Sequence, residues 1–205
     1  DGASRLDVEY RYRNDGQAEM KGYDIAIRNF FRPSGGPPDW KQERAFIPTI
    51  KAVREIGLSQ EYPELQSKFM TEVIPTWNGF IDTKRGLGLA FSFDDDFYRW
   101  LYRWIKDESA TWEWTFGSLD AGREAVTHFT IALTRGLDGY TDVARTYASR
   151  LLLSGSDPVT ATFRVFPTER PFSNLVVKSA FLSLDRTRLA SLPEIRVGAA
   201  ATGAV

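Results

Sequence analysis

Residues 5–13, Arg-Leu-Asp-Val-Glu-Tyr-Arg-Tyr-Arg, alternate apolar and charged side chains without a break. Leu6, Val8, Tyr10 and Tyr12 share one parity; Asp7, Glu9, Arg11 and Arg13 share the other. A period of two sustained over this run fits a half-buried strand and no helix. The signature returns later. Residues 110–117 set Trp112, Trp114 and Phe116 against Thr111, Glu113 and Thr115, and residues 125–135 set Val126, His128, Thr130 and Ala132 against Thr127, Phe129, Ile131 and Leu133. Further strand-like runs cover 22–32, 72–83, 86–94, 97–105, 159–167 and 175–184. Strands do not alternate with helices, so the pattern predicts a mainly β protein, an antiparallel β-sandwich with one or two short helices.

Turn chemistry punctuates these runs. Asn14-Asp15-Gly16 tolerates positive φ and predicts a tight reversal joining 5–13 to 22–32 as a hairpin, closed by the loop Pro33 to Pro38. Pro48 excludes a long helix through 39–56, and 59–70 fits a short helix starting near Ser59 or Gln60. Residues 118–123 form another turn. Over 141–153, Val143, Tyr147 and Leu151 recur at helical spacing behind Thr141 as an N-cap, with Gly155 beyond; this is the clearest predicted helix. One domain over 1–197 and a flexible tail over 198–205 are expected.

Composition removes whole classes of chemistry. The chain has 205 residues, a net charge of −1, no Cys and a single His, His128. Near-neutrality argues against nucleic-acid partners, and no apolar run approaches the roughly 20 residues of a membrane-spanning helix. Disulfides, thiolate zinc sites, cysteine nucleophiles and any site needing two imidazoles are excluded. Asp94-Asp95-Asp96 lacks the spacing of a calcium loop, Arg85-Gly86-Leu87-Gly88 lacks the third glycine of a dinucleotide site, and no Gly-x-Ser-x-Gly elbow occurs. No metal or cofactor is expected. What is abundant is aromatic: 14 Phe, 8 Tyr and 6 Trp, with four of the Trp between Trp100 and Trp114.

The strand, Asn-Asp-Gly turn and strand ending IAIRNFFRP, then WNGFIDTKRGLGLAFSFDDDFYRWLYRWI and ATWEWTFGSLDAGREAVTHFTIALT, resemble the galactose mutarotase-like (aldose 1-epimerase) family over about residues 5–140. The resemblance implies a twisted β-supersandwich, here shortened or lacking its N-terminal part. It also implies sugar chemistry in which a glutamate serves as general base on the anomeric hydroxyl and a histidine as general acid on the ring oxygen. Glu113 falls at the glutamate position. The position of the motif histidine holds Arg28, whose guanidinium stays protonated and cannot cycle a proton, although it donates hydrogen bonds in a fixed fork. His128 is then the one imidazole left to act as an acid.

Trp100, Tyr102, Trp104, Trp112 and Trp114 offer flat apolar surfaces on which pyranose C–H faces stack, and they serve equally well as cross-strand pairs of a sandwich core. Glu113 reads as a base candidate in a cleft or as a solvated strand carboxylate outside one. Three functions follow. The first is a carbohydrate-interacting domain using Arg28, Trp100, Trp104, Trp112 and Trp114, with catalysis in doubt or lost. The second is an active epimerase, lyase or hydrolase with Glu113 as base. The third is a structural module of an exported or envelope assembly; an exported or periplasmic setting is compatible with each.

Overall fold

The computed structural model describes residues 5–21, 24–29, 42–57, 76–93, 101–106, 109–115, 118–156, 160–169, 174–178, 180–182, 188–191 and 194–198. Every regular element among them is a strand, and the sheets are antiparallel. None of the described residues forms a helix long and apolar enough to cross a membrane.

The largest sheet has six strands, in the order β1 (Arg5–Arg13), β9 (Glu124–Arg135), β6 (Leu87–Phe93), β5 (Trp77–Asp82), β3 (Glu43–Pro48) and β4 (Val53–Gly57). A three-stranded sheet joins β10 (Asp142–Ala144), β11 (Tyr147–Ser154) and β12 (Thr160–Pro167). Another joins β2 (Asp24–Asn29), β8 (Ser109–Thr115) and β7 (Leu101–Lys106). Two ribbons complete the set: β13 (Asn174–Val177) with β16 (Ile195–Gly198), and β14 (Ala180–Leu182) with β15 (Arg188–Ser191).

The β10–β11 layer lies on one face of the six-stranded sheet, and the register explains why it fits. Phe46, Gly79, Ala90 and Ala132 form one row across four strands, with Ile81, Gly88 and Thr134 in the next row of the same face. These mostly small side chains leave a trough. Tyr140, Val143 and Ala148 fill it, closing a core that includes Phe46, Trp77, Ile81 and Leu137. Tyr140 is fully buried and lies so close to the glycines that a Cβ on Gly79 would stand 2.2 Å from its Cδ2, and one on Gly88 2.2 Å from its hydroxyl. Glycine in these strands thus marks a close approach, not weakness. The hydroxyl is hydrogen-bonded to buried Thr134, so the ring brings no orphaned polar atom into the core. Burial raises its pKa well above the ordinary tyrosine value.

The opposite face carries a run of rings. Phe80, Phe91, Phe93, Phe129, Tyr10 and Tyr12 follow one another with centroids 5.6 to 6.4 Å apart. Phe80, Phe91, Phe93 and Phe129 are buried, whereas Tyr10 and Tyr12, nearer the sheet edge, are half-buried. Burial outweighs every other influence on Tyr12 and raises its pKa.

Three expectations are corrected. Residues 5–13 and 22–32 do not form a hairpin: β1 pairs with β9, and β2 pairs with β8. The chain carries on past Asn14-Asp15-Gly16 because buried Asn14 bridges to the neighbouring segment. Its amide nitrogen donates to the carbonyls of Ala18 and Leu119, its own carbonyl accepts from Gly122, and Gly16 N–H closes onto its Oδ1. The Met20↔Leu119 bridge then leads into β2 and β8. Positive φ falls at Gly122 on the partner segment instead.

Residues 141–153 are not a helix but the hairpin β10–β11, with Val143 opposite Ala148. Thr141 is no N-cap; its backbone N–H donates to Ser149, and its hydroxyl oxygen accepts from the backbone of Leu151. Val143 is buried while Leu151 is exposed, so the supposed helical stripe does not share a face. Toward the C-terminus, 175–184 is not one strand: β13 and β14 pair with different partners. There β16 ends at Gly198, opposite Asn174 of β13. The predicted helix 59–70, Asp94 to Asp96, Trp100 and residues 199–205 lie outside the described residues.

Candidate functional site

The residues chosen from the sequence separate onto two sheets. In the β2–β8–β7 sheet, Arg28, Thr111 and Trp104 occupy one register row across the three strands. Ala26, Glu113 and Tyr102 occupy the row two residues along, on the same parity. Trp112 and Trp114 fall on the alternate parity, in rows with Ile27 and Arg103, and with Ile25 and Leu101. The backbone therefore groups Arg28, Glu113, Tyr102 and Trp104, and sets Trp112 and Trp114 apart from them.

His128 belongs to β9, in the six-stranded sheet. It stands opposite Glu9 on β1, with its Nε2 3.0 Å from Glu9 Oε2. The other oxygen of Glu9 accepts from Arg11 Nε, and Arg11 also donates to Glu124 at 2.9 Å. The hydrogen bond from Arg11, and then that from His128, hold the Glu9 carboxyl below the usual carboxylate range. At neutral pH Glu9 is an ionised acceptor.

The neighbouring row, Trp77, Ser92, Thr130 and Asp7, runs on the same face. Its Trp77 end is buried in the core beneath β10–β11, and its Asp7 end is open. There a cleft of about 220 Å³ is lined by Asp7, Glu9, Ser92, His128, Thr130 and Arg145, with Val8 and Phe129 between them. The floor is the Val8↔Phe129 pair of the β1–β9 ladder. Arg145 comes from the β10–β11 turn, so both layers of the sandwich contribute walls. Asp7 is bracketed by two guanidinium groups, Arg5 at 2.9 Å and Arg145 at 3.5 Å.

This cleft unites one residue chosen from sequence, His128, with several read there only as the charged outer parity of a strand. Asp7 and Glu9 gave a signal in their alternation, but nothing local ties them to Arg145. The chemistry available is dense and mixed: ionised acceptors, guanidinium donors and hydroxyls that do both.

No protein-family model matches this chain, and no curated protein matches it. Among solved structures, the Slr1438 protein from Synechocystis sp. PCC 6803 is similar at 15% identity and a TM-score of 0.44; the match covers 65% of this chain and 52% of that one. The chain therefore spans about half the length of that protein.

Proposed function

We propose that this chain is a carbohydrate-interacting β-sandwich domain of mutarotase-like ancestry that binds sugars without turning them over. The observation that carries the reading is the row of Arg28, Thr111 and Trp104 across β2, β8 and β7, with Glu113 on the same parity two residues along. A guanidinium, a carboxylate and an indole are the groups a pyranose engages: charged groups hydrogen-bond its hydroxyls, and an aromatic plane covers its C–H face. Arg28 remains protonated, so it positions a hydroxyl or carboxylate and cannot act as the general acid that an epimerase needs. His128 lies on another sheet and is paired with Glu9.

Calorimetric titration with neutral hexoses and hexuronates at millimolar concentration tests the reading. Arg28→Ala is expected to weaken binding about tenfold or more, the scale of one charged hydrogen bond, and Trp104→Ala about five- to tenfold, the scale of one stacked ring. Absence of binding by the wild-type chain, or wild-type affinity in both variants, contradicts it.

A further inference from the structure

We propose that the cleft over the Val8↔Phe129 pair is a second binding site, one that takes a single neutral sugar ring or a polyol of that size. It shares the ligand class of the reading above but none of its residues.

Three observations point to such a ligand. The first is that the cleft is held in place. The Arg145 carbonyl at its lip accepts a hydrogen bond from the hydroxyl of buried Thr168 at 2.7 Å and another from Arg5 at 3.4 Å. The Thr168 backbone N–H is bonded to Thr146 in the same turn. Floor and lip are therefore tied together before any ligand arrives, which lowers the entropic cost of binding.

The second is charge compensation. Asp7 faces Arg5 and Arg145, and Glu9 faces Arg11, with His128 as a further hydrogen-bond partner. An anion entering the cleft meets both carboxylates, and a cation must displace guanidinium groups already in place. A hydroxyl both donates and accepts. It can give its proton to Asp7 or Glu9 and receive one from Arg145, while Ser92 and Thr130 supply either role.

The third is size. About 220 Å³ is below the roughly 300–1,000 Å³ of sites for drug-sized molecules, and it suits one ring entering from the open side.

The test is to titrate the isotope-labelled 205-residue chain with methyl β-glucoside, methyl β-galactoside and glucuronate, following backbone amide shifts. The expected result is saturating shifts at Val8, Glu9, Phe129, Thr130 and Arg145 with at least one neutral glycoside. Asp7→Ala and Ser92→Ala should each weaken that binding about fivefold, the worth of one net hydrogen bond. Arg28→Ala should leave these shifts unchanged, and the amide spectrum of each variant reports whether it has folded. Saturating shifts confined to β2, β7 and β8 overturn this site and leave the proposed function standing. Shifts on neither sheet overturn both. Glucuronate binding at these amides more tightly than the neutral glycosides overturns the ligand class.

Discussion

One face of the six-stranded sheet is put to two uses. Over β3, β5 and β6 it is covered: Gly79, Gly88 and Ala90 make room for Tyr140, Val143 and Ala148, and β5 is buried at all six positions. Over β1 and the adjoining part of β9 it is open, and the same parity carries Asp7, Glu9, His128 and Thr130. The row Trp77–Ser92–Thr130–Asp7 passes from one half to the other within four strands. The difference lies in what the second layer covers. Substitutions in the covered half should therefore act on folding, and those in the open half on binding.

The largest effect is expected at the glycines. Gly79→Ala and Gly88→Ala drive a methyl into Tyr140, and such overpacking costs about 1–3 kcal/mol or more. In an uncrowded strand the same change would stabilise slightly, so the sign itself is diagnostic. Urea denaturation measures it, and Tyr140→Ala should cost less in the Gly79→Ala background than in the wild type, because it relieves the clash.

Next comes Asn14→Ala, at the join between the two sheets, which leaves the carbonyls of Ala18 and Leu119 without its amide. It should cost about 1–3 kcal/mol. An unchanged denaturation midpoint would remove Asn14 from the account of why the expected hairpin does not form.

Tyr140 also gives the covered half a pH signature. Its folded pKa is raised by burial, so below the unfolded value of about 10 the two states bind protons alike. Above it the unfolded chain ionises while the folded one resists, and stability falls as pH rises. Tyr147, raised to about 12 by burial and then by its hydrogen bond to Asp142, adds to the same slope to a lesser extent because it is only half-buried. Denaturation between pH 9 and 11 should show a slope that is shallower in Tyr140→Phe. An identical slope would place the titration elsewhere.

The smallest effect on folding belongs to the open half. Asp7→Ala removes exposed ion pairs and should change stability by no more than about 1 kcal/mol, while weakening sugar binding in the cleft. A large loss of stability would mean that the ion pairs hold the two layers together.

Sequence periodicity locates strands well and partners poorly. The alternation of 5–13 predicts β1, and the runs 72–83 and 86–94 bracket the reversal between β5 and β6, where Gly86 takes positive φ. Nothing within 5–32 says that β1 pairs with a strand more than a hundred residues away, because register across a sheet is settled by non-local burial. The helical spacing of Val143, Tyr147 and Leu151 misleads for the same reason. Of that stripe the core receives Val143, and beside it Tyr140 and Ala148, which lie off the stripe. Of the candidate sites, Arg28, Glu113 and Trp104 are legible as residue types, and their common parity is visible only in the register. The cleft is less legible still, since Asp7 and Arg145 meet only through the packing of two sheets.

The most direct test of binding without turnover is a single nuclear magnetic resonance experiment on the wild-type chain with millimolar glucose or galactose, reading saturation transfer to the sugar and the rate of exchange between its anomers. Saturation transfer is expected, with an exchange rate equal to that in buffer. No transfer, or exchange accelerated by the protein and lost in Glu113→Gln, would contradict it.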